Sequence, residues 1–250
     1  MSLSTFFPSL PHVEDCAKRI RVYHKGVCLI DTKKAKFIWL HPYYPVYGFL
    51  KADLPSWYLK VEDKNPAENA TEVHIGLTVG GDPNLKDVIT FYLTGPLEGL
   101  ATIKFDAVDA WFEEDEQIFL HPRDPYKRID ILQSSRHVRV EVNGVEIANT
   151  RAPRLLFETG LMVRTYIPKT DCRMDLWQPS TLTTKCPYKG TANYYSVVLS
   201  SGETFEDIVW WYPTTTHESS SILGFVVFYD EKVDVWVDGE KQERPAKPSV

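Results

Sequence analysis

The sequence repeats itself, and a repeat restricts the fold to a unit that can be built twice. Residues 18–55, KRIRVYHKGVCLIDTKKAKFIWLHPYYPVYGFLKADLP, align without a gap to 136–173, RHVRVEVNGVEIANTRAPRLLFETGLMVRTYIPKTDCR, at an offset of 118. Arg21/Arg139, Val22/Val140, Gly26/Gly144, Val27/Val145, Thr32/Thr150, Lys51/Lys169 and Asp53/Asp171 are identical. KDVITFYLTG (86–95) matches EDIVWWYPTT (206–215) at an offset of 120. GLATIKFDAVDAWF (99–112) matches GFVVFYDEKVDVWV (224–237) at 125, pairing Asp109 with Asp234 and Trp111 with Trp236. So slow a drift in offset is what small loop insertions produce, and the pattern reads as a tandem duplication.

Each copy reads as β. RVEVNGVEIANT alternates apolar and polar residues around Asn143-Gly144, a hairpin signal because both positions tolerate positive φ. Its counterpart, RVYHKGVCLIDT, turns at Lys25-Gly26. NYYSVVLSS, IVWWY, GFVVFYD and VDVWVDG are β-branched and aromatic runs of strand length. Helical periodicity is nowhere sustained, though a short helical turn is expected near Phe205–Ile208. The predicted architecture is all-β: two small domains, each a strongly bent sheet with aromatics on its inner face. The boundaries follow from the repeat: an N-terminal arm (1–17), a first repeat (18–118), a linker (119–135), a second repeat (136–243) and a tail (244–250).

Composition narrows the setting. A net charge of −6 argues against a nucleic-acid partner, and no apolar run approaches the roughly 20 residues of a membrane helix. The N-terminus has neither a basic region nor a long apolar stretch, so a cytoplasmic protein is expected. Cys16, Cys28, Cys172 and Cys186 contain no C-x-x-C pair and read as free thiols. The sequon at Asn69 reads as incidental. Histidines outside the linker are spread singly, so neither a metal nor a cofactor is expected.

RHVRVEVNGVEIANTRAPRLLFETGLMVRTYIPKTDCRMDL, followed by TTKCPYKGTANYYSV, WWYP and GFVVFYDEKVDVWVDGE, closely resembles the domain-of-unknown-function 427 family. DAWFEEDEQIFLHPRDPYKRIDIL is similar to the tail and linker of tandem members. The resemblance covers most of 86–244, and CPYKGTA is its most specific element. It implies an all-β domain similar to the β-tent class of bent sheets. Several β-tent proteins hold zinc with two Cys pairs, which this sequence lacks. The family has also carried a nucleotidyltransferase label, but the chain has no Gly-Ser followed by paired aspartates and no glycine-rich phosphate loop. The resemblance thus implies a fold and little chemistry.

The repeat offers an internal comparison. Glu158 corresponds to Leu40, Tyr166 to Gly48, Arg173 to Pro55 and Trp210 to Thr90, while KCPYKG faces NPAENA (65–70). Shape-giving residues occur in both copies, whereas this polar set belongs to the second, and a site is expected there. Glu158, flanked by Leu156 and Phe157, suits a general acid or base; its bland reading is a solvated or Arg-paired carboxylate. Lys189, held in a turn among aromatics, suits an anion or a developing negative charge, against a solvated turn lysine. Tyr166 completes the candidate catalytic set. Cys186 lies three residues from Lys189 and reads as a packed thiol, with a nucleophilic role as the alternative. Tyr188, Tyr194, Tyr195, Trp210, Tyr212 and Arg173 are candidate ligand contacts, although strand alternation allows only about half of the aromatics to face one side. A rival constellation is His121, Arg123 and Asp124 in HPRDPYKR, where an Asp-oriented histidine would serve as an acid–base unit. Its bland reading is docking of one repeat on the other through Arg123, Asp124 and Arg128.

The functional expectation is a site in the second repeat for a small, anionic or aromatic molecule, with or without turnover. The alternatives are a non-catalytic ligand- or peptide-binding module and a protein-interaction scaffold whose aromatics are all core.

Overall fold

Both glycine turns close hairpins. In the computed structural model, which describes residues 7, 9–61, 70–79 and 85–246, Lys25-Gly26 and Asn143-Gly144 have φ of 49° and 75°, and 48° and 77°. Glycine and asparagine accept these values at little steric cost, so the chain reverses within two residues. The chain divides into two units, Met1–Asp124 and Pro125–Val250.

In the first unit the strands are β1 (His12–Asp15), β2 (Ile20–His24), β3 (Val27–Thr32), β4 (Lys36–Trp39), β5 (Val46–Leu50), β6 (Leu59–Val61), β7 (Glu72–Leu77), β8 (Leu85–Tyr92), β9 (Leu100–Ile103), β10 (Ala110–Glu113) and β11 (Glu116–Ile118). A seven-stranded sheet has the order β1-β4-β5-β9-β8-β7-β6, and a four-stranded sheet has the order β11-β10-β2-β3.

The second unit comprises β12 (Ile129–Gln133), β13 (Val138–Val142), β14 (Val145–Thr150), β15 (Arg154–Glu158), β16 (Arg164–Pro168), β17 (Trp177–Cys186), β18 (Gly190–Val198), β19 (Thr204–Trp211), β20 (Phe225–Phe228), β21 (Asp234–Val237) and β22 (Glu240–Lys241). Its sheets have the orders β12-β15-β16-β20-β19-β18-β17 and β14-β13-β21-β22. Strand for strand, this is the topology of the first unit. Backbone irregularities recur as well, with positive φ at Asp87 and Asp207, Gly99 and Gly224, and Glu114 and Asp238.

The structure corrects four details. Phe205–Ile208 is part of strand β19, not a helical turn: Phe205 pairs with Val197, and Asp207, with φ of 53°, lies at a register shift before pairing resumes at Val209. The segments expected as arm and linker each supply the outer strand of a seven-stranded sheet, β1 and β12. The Asp-x-Trp alignment slips by one residue: Trp111 faces Val22 and Val235 faces Val140, so Trp111 corresponds to Val235 and Phe112 to Trp236. Arg21 over Phe112 and Arg139 over Trp236 repeat the same cation–π contact in this register. The comparison of KCPYKG with NPAENA falls, apart from Ala70, outside the described residues, as does Asn69 of the sequon.

Each seven-stranded sheet has two apolar faces. In the second unit Ile167, Val197, Val209, Val226 and Phe228 cluster with Val138, Val140 and Ile147 of the four-stranded sheet. Leu156, Tyr166, Tyr194, Trp210, Tyr212 and Val227 form a second cluster from the other side of the same strands. Period-two alternation makes this division. No helix among the described residues is long and apolar enough to cross a membrane.

Candidate functional site

Strand β15 ends at Glu158, and alternation places Leu156 and Glu158 on one face and Leu155 and Phe157 on the other. On β16, next in the sheet, Arg164 and Tyr166 share the face of Leu156 and Glu158. Lys189 arrives from the turn between β17 and β18. That turn is anchored: the Tyr188 carbonyl accepts from Thr216 Oγ1 and from Ser219 Oγ at 3.0 Å. Gly190 follows with φ of 110°, and a Cβ there would sit 2.8 Å from the Thr214 carbonyl oxygen. Only glycine fits that approach, so the turn holds Lys189 against the sheet.

The result is a chamber of about 400 Å³ lined by Glu158, Arg164, Tyr166, Lys189, Trp210 and Tyr212, with Leu156, Gly160, Leu161, Met162, Pro245 and Ala246. Lys189 Nζ donates to Glu158 Oε2 at 2.5 Å, and both residues are 8% exposed. Cys186 Sγ lies 3.8 Å from the same nitrogen. Lys127 Nζ approaches Glu158 Oε1 at 3.9 Å and sits 5.7 Å above the Tyr188 ring.

Arg164 forms a second charged cluster. It donates to Asp230 at 3.1 Å and to both Glu231 oxygens at 3.0 and 2.8 Å. Its guanidinium stands 5.3 Å from the Trp210 ring centre, and Trp210 contacts Tyr229 at 4.4 Å. Burial pushes the Asp230 carboxyl up to about 6, against the pull of Arg164. The hydrogen bonds from Arg164 hold Glu231 below the ordinary carboxylate range. Burial, reinforced by Cys186 and Glu158, raises the Tyr166 phenol; the Trp210 indole bonded to it works in the other direction. Burial likewise raises Tyr212, with Tyr166 adding to it. These phenols are therefore neutral hydrogen-bonding groups at physiological pH.

Residues 130–239 match the family model described as a domain of unknown function, DUF427. The second unit is a member of that family. No curated protein matches the chain.

Within this DUF427 domain the structure brings together Glu158, Lys189, Tyr166, Trp210 and Tyr212. Tyr188 and Tyr194 are buried beside the chamber, and Tyr194 shares a 2.7 Å hydrogen bond with Thr184. Two expected contacts are elsewhere. Tyr195 alternates to the opposite face, stacked with Trp177 at 5.1 Å and Trp211 at 6.0 Å. Arg173 is exposed and forms a paired bond to Asp175 at 2.8 and 2.7 Å. In the first unit, His121 Nδ1 meets the Pro122 carbonyl at 2.7 Å and its ring stacks on Tyr44 at 4.1 Å. Asp124 accepts from the Trp39 indole at 3.1 Å and Arg123 pairs with Glu116 at 3.5 Å. Arg128 pairs with Asp130 at 3.0 Å inside the DUF427 unit. His121 also lines a separate first-unit cavity of about 340 Å³ with Tyr47 and Trp111.

Sequence reasoning missed Arg164, Lys127, Asp230 and Glu231. Arg164 was legible as the residue two before Tyr166 on the same strand, and hence on the same face. Lys127 was hidden by its assignment to a linker. The acidic pair is joined to Arg164 only through strand pairing.

In the first unit the corresponding face is closed by carbon. Ile38, Leu97 and Leu100 cluster there with Val13, Val46 and Tyr92. Gly48 stands where the DUF427 domain has Tyr166, and the Ile38 side chain fills its space: a Cβ on Gly48 would lie 2.4 Å from the Ile38 methyl. The expectation that polar chemistry is confined to the second copy needs correction, however. The first unit buries its own charge, Glu113, which accepts from Tyr47 Oη at 2.6 Å and Lys18 Nζ at 2.5 Å, between its two sheets.

Proposed function

We propose that the two units arose by duplication of one domain, and that the second retains a binding chamber for a small, flat, polar molecule. The ligand stacks against Trp210 and presents a donor–acceptor edge to Lys189 and Glu158. The buried Lys189–Glu158 pair carries this reading. Two charges removed from water cost several kcal/mol each, and a packed hydrophobic pair is often as stable or more so. The first unit supports the point, since the same strands there close with Ile38, Leu97 and Leu100. The frame does not require the ion pair, so the reading assigns it to recognition.

The chemistry of the walls selects the ligand class. Lys189 retains one N–H beyond those directed to Glu158 and Cys186, and Glu158 retains acceptor lone pairs. Side by side, they complement the adjacent acceptor and donor of an amide or heteroaromatic edge. Trp210, Tyr166 and Tyr212 supply ring faces for a planar body. The chamber volume lies near the lower end of small-molecule sites, roughly 300–1,000 Å³.

The test is a thermal-shift and fluorescence titration of the full chain with a panel of nucleobases, pterins and nicotinamide. A compound that raises Tm in the wild type is expected to lose that effect in Lys189→Ala and in Glu158→Gln. A hit whose affinity survives both substitutions, or a panel without a hit, counts against the site.

A further inference from the structure

The DUF427 domain holds a second cavity, on the other side of β15 and β16. About 370 Å³ lies open between its two sheets, lined by Val138, Leu155, Phe157, Thr165, Val235 and Val237; Arg136, Arg244, Asp230 and Glu243 are also on the wall, and Arg136 is exposed to solvent. Phe157 is 39% exposed there. Nothing in the proposed chamber uses these groups.

The first unit shows what the frame accommodates at this place. Strand register puts Ile20, Phe37, Trp39, Tyr47, Trp111 and Glu113 at the six equivalent positions. All six are buried. Trp111 stacks with Tyr47 at 5.9 Å and with Phe105 at 4.9 Å. The Glu113 carboxylate, at the edge of this aromatic filling, pairs with Lys18 at 2.5 Å. In the second unit the tyrosine is Thr165, the tryptophan Val235 and the glutamate Val237, but the cation is retained, as Arg136. Among the described residues the Arg136 guanidinium has no ion-pair partner; Arg244, also on the wall, is held by Asp234 at 2.9 Å. The Tyr47 and Trp111 rings and the Glu113 carboxylate have no counterpart at these three positions, while the Phe157 ring and the positive charge remain; the first unit's own hollow beside Tyr47 and Trp111 is about 340 Å³.

We infer that this inter-sheet cavity binds a small aromatic carboxylic acid. Its ring fills the space that Tyr47 and Trp111 fill in the first unit, and its carboxylate pairs with Arg136 as Glu113 pairs with Lys18. An arginine suits the task because its planar fork meets a carboxylate through two parallel hydrogen bonds. A valine-lined wall favours a ring over a polar body, since each buried apolar contact leaves water.

The probe is 4-hydroxyphenylacetate, with its neutral amide as control, followed by methyl NMR on the full chain. Saturable shifts are expected at the methyls of Leu155, Val235 and Val237. The amide should bind roughly tenfold more weakly, and Arg136→Ala should lose about as much for the acid. Thr165→Tyr, which places a ring where the first unit has one, should abolish binding. Should Thr165→Tyr fail to fold, Val237→Glu gives the second reading, because it sets a carboxylate against Arg136 in competition with the acid. The inference is overturned by absence of saturation up to about 10 mM, a weak limit for a ligand of this size. Equal affinity for acid and amide, or binding undiminished in both filling variants, also overturns it. So does a concentration-dependent dimer that shields Phe157, since another copy would then occupy the face.

Discussion

The two units share every strand pairing in their sheet orders, yet they distribute volume and charge in opposite ways. The first fills the space between its sheets with Trp39, Tyr47 and Trp111 and closes its outer face with Ile38, Leu97 and Leu100. The second leaves valines between its sheets and builds its outer face from Glu158, Lys189, Arg164 and aromatic rings. The lesson is that this frame is held by backbone pairing and turn geometry, while the side chains between and outside the sheets are exchangeable. Both units keep a hollow beside this packing, about 340 Å³ next to Tyr47 and Trp111 and about 370 Å³ next to Thr165 and Val235, so the residues of each unit decide what lines the space.

The contrast is broken or sharpened by substitution at matched positions. Trp39→Ala removes a wholly buried ring that also bonds Asp124, and should destabilise the first unit by about 3–5 kcal/mol. Phe157→Ala, its half-open counterpart, should cost the second unit about 1 kcal/mol, because less of its surface leaves water on folding. Chemical denaturation of each variant measures both, and equal losses would contradict the difference in packing.

The ion pair comes next. Glu158→Leu alone strands Lys189 in a buried wall beside Lys127 and should cost about 3–5 kcal/mol. Glu158→Leu combined with Lys189→Met restores a carbon-only wall like that of the first unit. Its stability should return to within about 1 kcal/mol of wild type while the proposed ligand is lost. A double variant as unstable as the single would make the pair structural, and the comparison with the first unit would fail.

The smallest effect is in pH dependence. Asp230, whose place in the first unit is taken by Phe105, has its carboxyl raised to about 6 by burial. A raised carboxyl binds its proton more tightly in the folded state, so its contribution is greatest below the unfolded value near 4 and is lost as pH rises through 6. Stability should fall by up to about 3 kcal/mol across that window, and Asp230→Asn should flatten this part of the curve. Unfolding free energies at stepped pH read it directly; an unchanged slope in the variant would place the titration elsewhere.

Much of this was legible before any coordinates. Alternation in RVEVNGVEIANT gave two strands and their turn, because period two and a positive-φ dipeptide are local properties. Glu158, Lys189 and Tyr166 stood out because the copy without them offered Leu40 and Gly48. Tyr195 and Arg173 were misplaced for physical reasons. Neighbouring aromatics on a strand face opposite ways, and the bulge between Tyr195 and Val197 shifts the register that decides which way. Arg173 has an acidic partner two residues away in Asp175, and that local pair won over any distant site.

By itself the sequence determined the all-β class and the hairpin turns, since each depends on residues close together in the chain. Only the tertiary structure decided that Arg164 meets Asp230 and Glu231, that Lys189 reaches Glu158, and that space remains between the second unit's sheets. Those outcomes depend on register across paired strands and on summed side-chain volumes from both sheets, quantities that no single stretch of the chain contains.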